Sequence, residues 1–200
     1  ENSLYGKNAG TAITTGDENT FIGAAAGDAV TTSSANTALG SYALSTNITG
    51  DNNTAVGKNA LLSNTAGDNS AFGTFALSTN TTGSNNTALG KYAGNQNTTG
   101  ERLVAVGDNA LYANTEGDYN TAVGSNALDA NTTGANNTAV GYNSLTANTT
   151  ADYNTALGRE SLAANTTGAG NLAAGGYALG NNTTGHSNTG IGGYSPSTGG

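Results

Sequence analysis

Short apolar clusters alternate with polar corners along the whole chain, at a fixed interval. A Gly closes the phrase N-T-A-V-G, or a variant of it, at Gly6, Gly23, Gly40, Gly57, Gly73, Gly90, Gly107, Gly124, Gly141, Gly158, Gly175 and Gly192. The interval is 17 residues every time except from Gly57 to Gly73, where it is 16. The consensus reads N-T-A-V-G-x-N-A-L-x-A-N-T-T-G-x-N. One place before the Gly stands an apolar residue such as Ile22, Leu39, Val56, Phe72 or Val123. Two places before it is usually Ala, and four places before it is Asn, with Leu103 as the exception. Three places after it is Ala or Ser, and four places after it is mostly Leu, as at Leu44, Leu61, Leu77, Leu111 and Leu128. A polar N-T-T-G corner follows.

A 17-residue period is too short for a helix–turn–helix repeat, which takes about 33–47 residues. The segments between glycines are rich in Asn, Thr and Gly, which are poor helix formers. The pattern predicts an all-β chain: a parallel β-solenoid, or β-roll, of about 12 coils with two short strands and two turns in each. Stacked coils lie ~4.8 Å apart, which gives a rod roughly 55–60 Å long. Identical residues then form ladders along the rod. Gly23, Gly40, Gly57, Gly73, Gly90, Gly107, Gly124, Gly141, Gly158 and Gly175 are the expected turn glycines, needed where φ is positive or backbones approach closely. The residue missing near Asn69 belongs in a turn, because a deletion inside a strand would flip every following side chain to the other face.

Residues 1–194 read as a single solenoid domain. Its first coils, 1–35, are atypical: Gly10 and Gly27 stand where Leu is expected, and Ile13 and Val30 where the corner Asn is expected. Terminal repeats often differ because they cap the stack. Residues 195–200 break the pattern, with Pro196 in the Leu column, and read as a terminator or linker. With neither an initiator Met nor a signal-peptide pattern, the sequence is expected to be a mature chain or a segment of a longer one.

Composition narrows the function. Without cysteine there is no disulfide framework and no thiolate metal site. The single histidine, His186, leaves almost no material for imidazole chemistry. A net charge of −8 with five scattered Lys and Arg argues against nucleic-acid binding. No apolar run approaches the ~20 residues of a membrane-spanning helix, so membrane insertion is not expected. Apolar residues make up only 35%, and half of the apolar positions in a coil hold Ala or Ser. That is a thin core, and association is the simplest way to bury more surface. The Val and Leu columns lie five residues apart; one is expected inside the coil and the other on an axis shared between chains. The expected partner is a second copy, as a homotrimer or a filament.

The phrases in Asn120–Gly134 and Asn137–Thr150 resemble the head-domain repeats of trimeric autotransporter adhesins. They resemble even more the longer Asn/Thr-rich repeats of bacterial surface and phage tail-fibre-like proteins. The resemblance covers essentially the whole chain. It implies a parallel β-roll, often trimeric, displayed outside the cell or on its surface and used for attachment or as a stiff stalk. It carries over no catalytic residues. The expected function is therefore a non-enzymatic, extracellular structural or adhesive rod without cofactors. A self-assembling filament subunit, or an ice- or glycan-binding solenoid, is the alternative.

Four features carry candidate chemistry. The corner column holds N-x-[ST] sequons at Asn47, Asn80, Asn97, Asn131, Asn148, Asn165 and Asn182, candidate glycan acceptors in an exported protein. Further sequons lie at Asn52, Asn85, Asn136 and Asn181. Thr follows the corner Asn from Thr14 to Thr183, a ladder that also occurs on some ice-binding solenoids, but turn chemistry and ladder bonding are the favoured reading. Asp17, Asp51, Asp68, Asp118 and Asp152 with Glu101 form an acidic column that reads as solvated turn residues rather than a Ca²⁺ site. Tyr42, Phe75, Tyr92 and Tyr177 follow the Gly by two places, with Tyr194 in the same column, and are candidates for contact with a host-surface or glycan receptor or with a neighbouring chain. Glu116 and Glu160 are isolated carboxylates without an acid–base partner.

Overall fold

A computed structural model describes residues 1–193. Tyr194 and the expected terminator at 195–200 lie outside the described residues. Twelve parallel strands of three residues each, from β1 (Ser3–Tyr5) to β12 (Thr189–Ile191), pair in sequence order in one sheet. Each strand pairs with the one a full coil later, so Thr stacks on Thr and Ala on Ala, as in Thr121↔Thr138 and Ala122↔Ala139. The chain is a β-solenoid, as its period requires. Each coil contributes one regular strand rather than the expected two.

The second side departs from strand geometry because its backbone alternates in handedness. Asn109 and Leu111 have φ of 55° and 52°, and the pattern recurs in the same two columns along the rod. The coils still bond to one another there. The Asn126 N–H donates to the Asp108 carbonyl of the coil before (3.0 Å), and the Leu128 N–H to the Ser144 carbonyl of the coil after (3.0 Å). Left-handed backbone costs a bulky residue about 1–2 kcal/mol. Burial of the Leu side chain and inter-coil bonding on both sides offset it. Leu61, Leu77, Leu111, Leu128, Leu145 and Leu162 are all fully buried.

Alternation within the strand sets what faces inward. In β8 (Thr121–Val123), Ala122 is buried while Thr121 and Val123 point outward. Ala is the inward residue in most strands because it faces Leu across a narrow coil. The first coils reverse this arrangement. Gly10 and Gly27 occupy the Leu column, and Phe21 takes the Ala place: a Cβ on Gly27 would lie 2.4 Å from the Phe21 ring. Val30, in the corner Asn column, is buried as well.

The polar half of the interior consists of two Asn ladders. The strand-leading Asn accepts at Oδ1 from the backbone N–H of the next coil, as Asn137 does from Asn154 (2.9 Å). Its Nδ2 donates to a corner carbonyl of that coil, as Asn137 does to Ala151 (2.8 Å). The corner Asn residues bond side chain to side chain along the rod: Asn97 to Asn80 (2.7 Å), Asn114 to Asn97 (2.8 Å) and Asn131 to Asn114 (2.8 Å).

The missing residue is accommodated at this corner. Ala66 provides the carbonyl that Gly83 provides in the next coil, accepting from Asn53 (2.9 Å) and Asn64 (2.6 Å). Asp68, with φ 61°, takes the place of Asn52. The residue lost is therefore the second Thr of N-T-T-G, and β4 (Thr54–Val56) pairs in unbroken register with β5 (Ser70–Phe72).

Along the same corner, the Thr ladder donates to the backbone. Thr115, Thr132 and Thr166 each give Oγ1–H to the corresponding carbonyl one coil on, Thr132 to Thr149 at 3.0 Å. Replacing Thr132 with valine removes one such bond from a half-buried site that water reaches. The expected loss is about 1 kcal/mol, read as a lower urea midpoint at unchanged slope.

Candidate functional site

The outer face of the sheet is the most distinctive surface of the rod. Its first column is Thr20, Thr37, Thr54, Ser70, Thr87, Val104, Thr121, Thr138, Thr155 and Leu172. Its second is Ile22, Leu39, Val56, Phe72, Leu89, Val106, Val123, Val140, Leu157 and Ala174. Neither column holds a charge. The second column is solvent-facing: Leu39 is 45% exposed, Leu89 52% and Leu157 42%. Of the two apolar columns, Leu therefore lies inside the coil and Val lies on the surface. Monomeric proteins rarely expose a continuous apolar stripe of this length.

Two unlike edges flank this face. Just past the strands, the column after the Gly carries Lys7, Lys58, Lys91 and Arg159, against one acid, Asp108. Just before the strands lie Asp17, Asp51, Glu101, Asp118 and Asp152, with no Lys or Arg in that column. These carboxylates also serve the backbone. Asp118 accepts from the Glu101 N–H (2.8 Å) and Asp152 from the Ala135 N–H (2.7 Å). His186 fills the same role through Nδ1, accepting from the Ala169 N–H (3.0 Å). Asp51, Asp118 and Asp152 thus each accept a backbone N–H from the coil before.

The aromatic column is mostly occupied with itself. Phe75 and Tyr92 stack at 5.3 Å with planes 17° apart, and Tyr112 meets Tyr92 edge-on at 6.1 Å. The Lys91 ammonium lies 4.8 Å above the Tyr92 ring. Arg159 sits between Tyr142 and Tyr177, at 5.8 and 5.5 Å from their centres. Its hydrogen bond to Glu160 (3.0 Å), aided by the tyrosines, holds the guanidinium still more firmly protonated than usual. Phe75, Tyr92 and Tyr177 thus each have a ring face in contact with a neighbouring side chain. Tyr42 is half exposed.

The corner sequons face inward. Asn47, Asn80, Asn97, Asn131, Asn148 and Asn165 are wholly buried. In Asn80, Asn97, Asn131, Asn148 and Asn165, both Nδ2 protons are committed, to the neighbouring Asn and to a corner carbonyl. Asn182 is half-buried with the same two bonds. A glycan on these amides is incompatible with the folded coil. The exposed sequons are Asn52, Asn85, Asn136 and Asn181. A similar correction applies to hydroxyls. The Thr14–Thr183 ladder donates to carbonyls, so its oxygens are not a free array. The strand threonines Thr87, Thr121, Thr138 and Thr155 lie on the outer side of the sheet and make no hydroxyl bond among the described residues.

The turn glycines are where the sequence places them. Gly124 has φ 139°, and a Cβ there would lie 2.4 Å from the Gly141 carbonyl oxygen; the column repeats this contact. Sequence reasoning missed the left-handed Leu column. Its one signal was that Gly10, Gly27 and Gly94 replace Leu there, each with φ of 56–58°. The chain matches no protein-family model, no curated protein and no solved structure.

Proposed function

We propose that this chain is a non-enzymatic, extracellular structural or adhesive rod that works in association with copies of itself, as a homotrimer in the first instance. One observation carries the reading: the exposed, charge-free stripe along the outer sheet face, from Ile22 to Ile191. Burying such residues gains about 25 cal/mol per Å², which supplements the thin core of Ala and Leu. The repeat's resemblance to surface-protein repeats supports the extracellular setting. The near-identity of the coils supports a mechanical role, because no one coil is set apart for chemistry. A filament is the alternative assembly, and electron microscopy separates it from discrete short rods.

The test places charge on the stripe. Leu89→Lys, Val123→Lys and Val140→Lys together are expected to turn an associated rod into a monomer with an unchanged circular dichroism spectrum, as read by sedimentation velocity. Retention of the oligomer would overturn the reading. A second reading rests on the free hydroxyls of Thr87, Thr121, Thr138 and Thr155 beside aliphatic residues, which form a flat array suited to ice. Thermal hysteresis, absent in Thr121→Lys, would support it; none in the wild type would end it.

A further inference from the structure

We infer that the copies associate in parallel and in register through the outer sheet face, with the acidic edge of one chain against the basic edge of the next; this rests on the self-association proposed above. The sheet face alone is too small. Twelve strands ~4.8 Å apart and three residues wide cover a footprint of roughly 50 by 10 Å. Counted on both partners, that is about 1,000 Å², at the lower limit for a specific interface. A stable contact must therefore take in the flanking edges, and these differ in sign. Asp51, Glu101 and Asp118 lie three residues before a strand; Lys58 and Lys91 lie two residues after one.

Symmetry decides the outcome. Copies related by rotation about the rod axis bring unlike edges together. Copies related by a two-fold axis across the rod bring acid to acid and lysine to lysine, and like charges in contact are costly. In-register stacking also sets Lys58 at the level of Asp51 and Asp68, whereas Glu101, at the level of Lys91, already lies 3.6 Å from Arg102 of its own chain. Lys7, Lys58 and Lys91 make no ion pair within the described chain.

The chain has no cysteine, so single labels are simple to place. Thr15→Cys and Thr184→Cys put spin labels on exposed corners away from the face, ten coils or ~48 Å apart along the rod. Pulsed electron paramagnetic resonance on each full-length variant is expected to give a same-site distance well below 48 Å, and a 1:1 mixture an added distance of that length or more. Same-site distances near or above 48 Å, with the short distance found only in the mixture, would overturn parallel packing while leaving association intact. No intermolecular distance, together with a monomeric mass, would instead overturn the self-association on which the inference rests.

Discussion

Gly124→Ala is expected to destabilise the rod by roughly 3–5 kcal/mol. Two costs combine. The backbone at φ 139° is closed to residues with a Cβ, a strain of about 1–3 kcal/mol. The new Cβ would also meet the Gly141 carbonyl, carbon at 2.6 Å and oxygen at 2.4 Å, so two coils must separate; overpacking of this kind costs about 1–3 kcal/mol. Stability in a solenoid is a sum of coil and neighbour terms. The damage should therefore be local and split thermal unfolding into two transitions, one for each side of the break. Gly134→Ala is the control. A Cβ there would also crowd the next coil, 2.5 Å from the Ala151 carbonyl oxygen, but its φ is not positive and its column holds Ala66 and Ala151, so the backbone strain is absent and a smaller loss of about 1–3 kcal/mol is expected. Equal losses for the two variants would contradict this description of the Gly column.

Asn114→Ala should be nearly as damaging, and more so than the same change at Asn131. Removing the Asn114 amide leaves three buried groups without a partner: Asn97 Oδ1, the Gly117 carbonyl and one Asn131 Nδ2 proton. A buried unpaired group costs about 1–3 kcal/mol, so a total of about 3–5 kcal/mol is expected after relaxation. Leu103 makes this position special. In the neighbouring coils the corner carbonyl has two donors: Gly134 receives Asn120 Nδ2 (2.6 Å) and Asn131 Nδ2 (2.9 Å). Leu103 stands where the second donor to Gly117 would be, so Asn114 is its sole side-chain donor. Asn131→Ala should accordingly cost about 1 kcal/mol less. Urea unfolding of the two variants measures the difference, and a larger loss at Asn131 would contradict the ladder's bonding.

The positions of these residues were largely legible in the sequence, because a period in a solenoid is a list of ladders. The Gly column, the stacking of Thr on Thr and the corner location of the missing residue all follow from spacing. What could not be read was side-chain direction at the turns. Period-two alternation tells inside from outside only within a strand, and Asn47 or Asn97 at a corner looks like a surface sequon. Only the folded coil shows that the amide points inward, Asn97 donating to Asn80 and Asn47 to Ser33 and Gly50. Leu111 was missed for a related reason. Leu is a poor choice for positive φ, so its presence suggested a second strand; burial outweighs the backbone cost there. For the outer face, the Val column was legible as an apolar ladder. Its flanking charges emerged only when Lys91 and Glu101 were seen on opposite edges of one sheet.

Self-association is most directly tested by the absolute mass of the unmodified chain in solution, from multi-angle light scattering across a range of concentrations. A discrete multiple of 19.5 kDa is expected. A species that remains at 19.5 kDa at every concentration would contradict it.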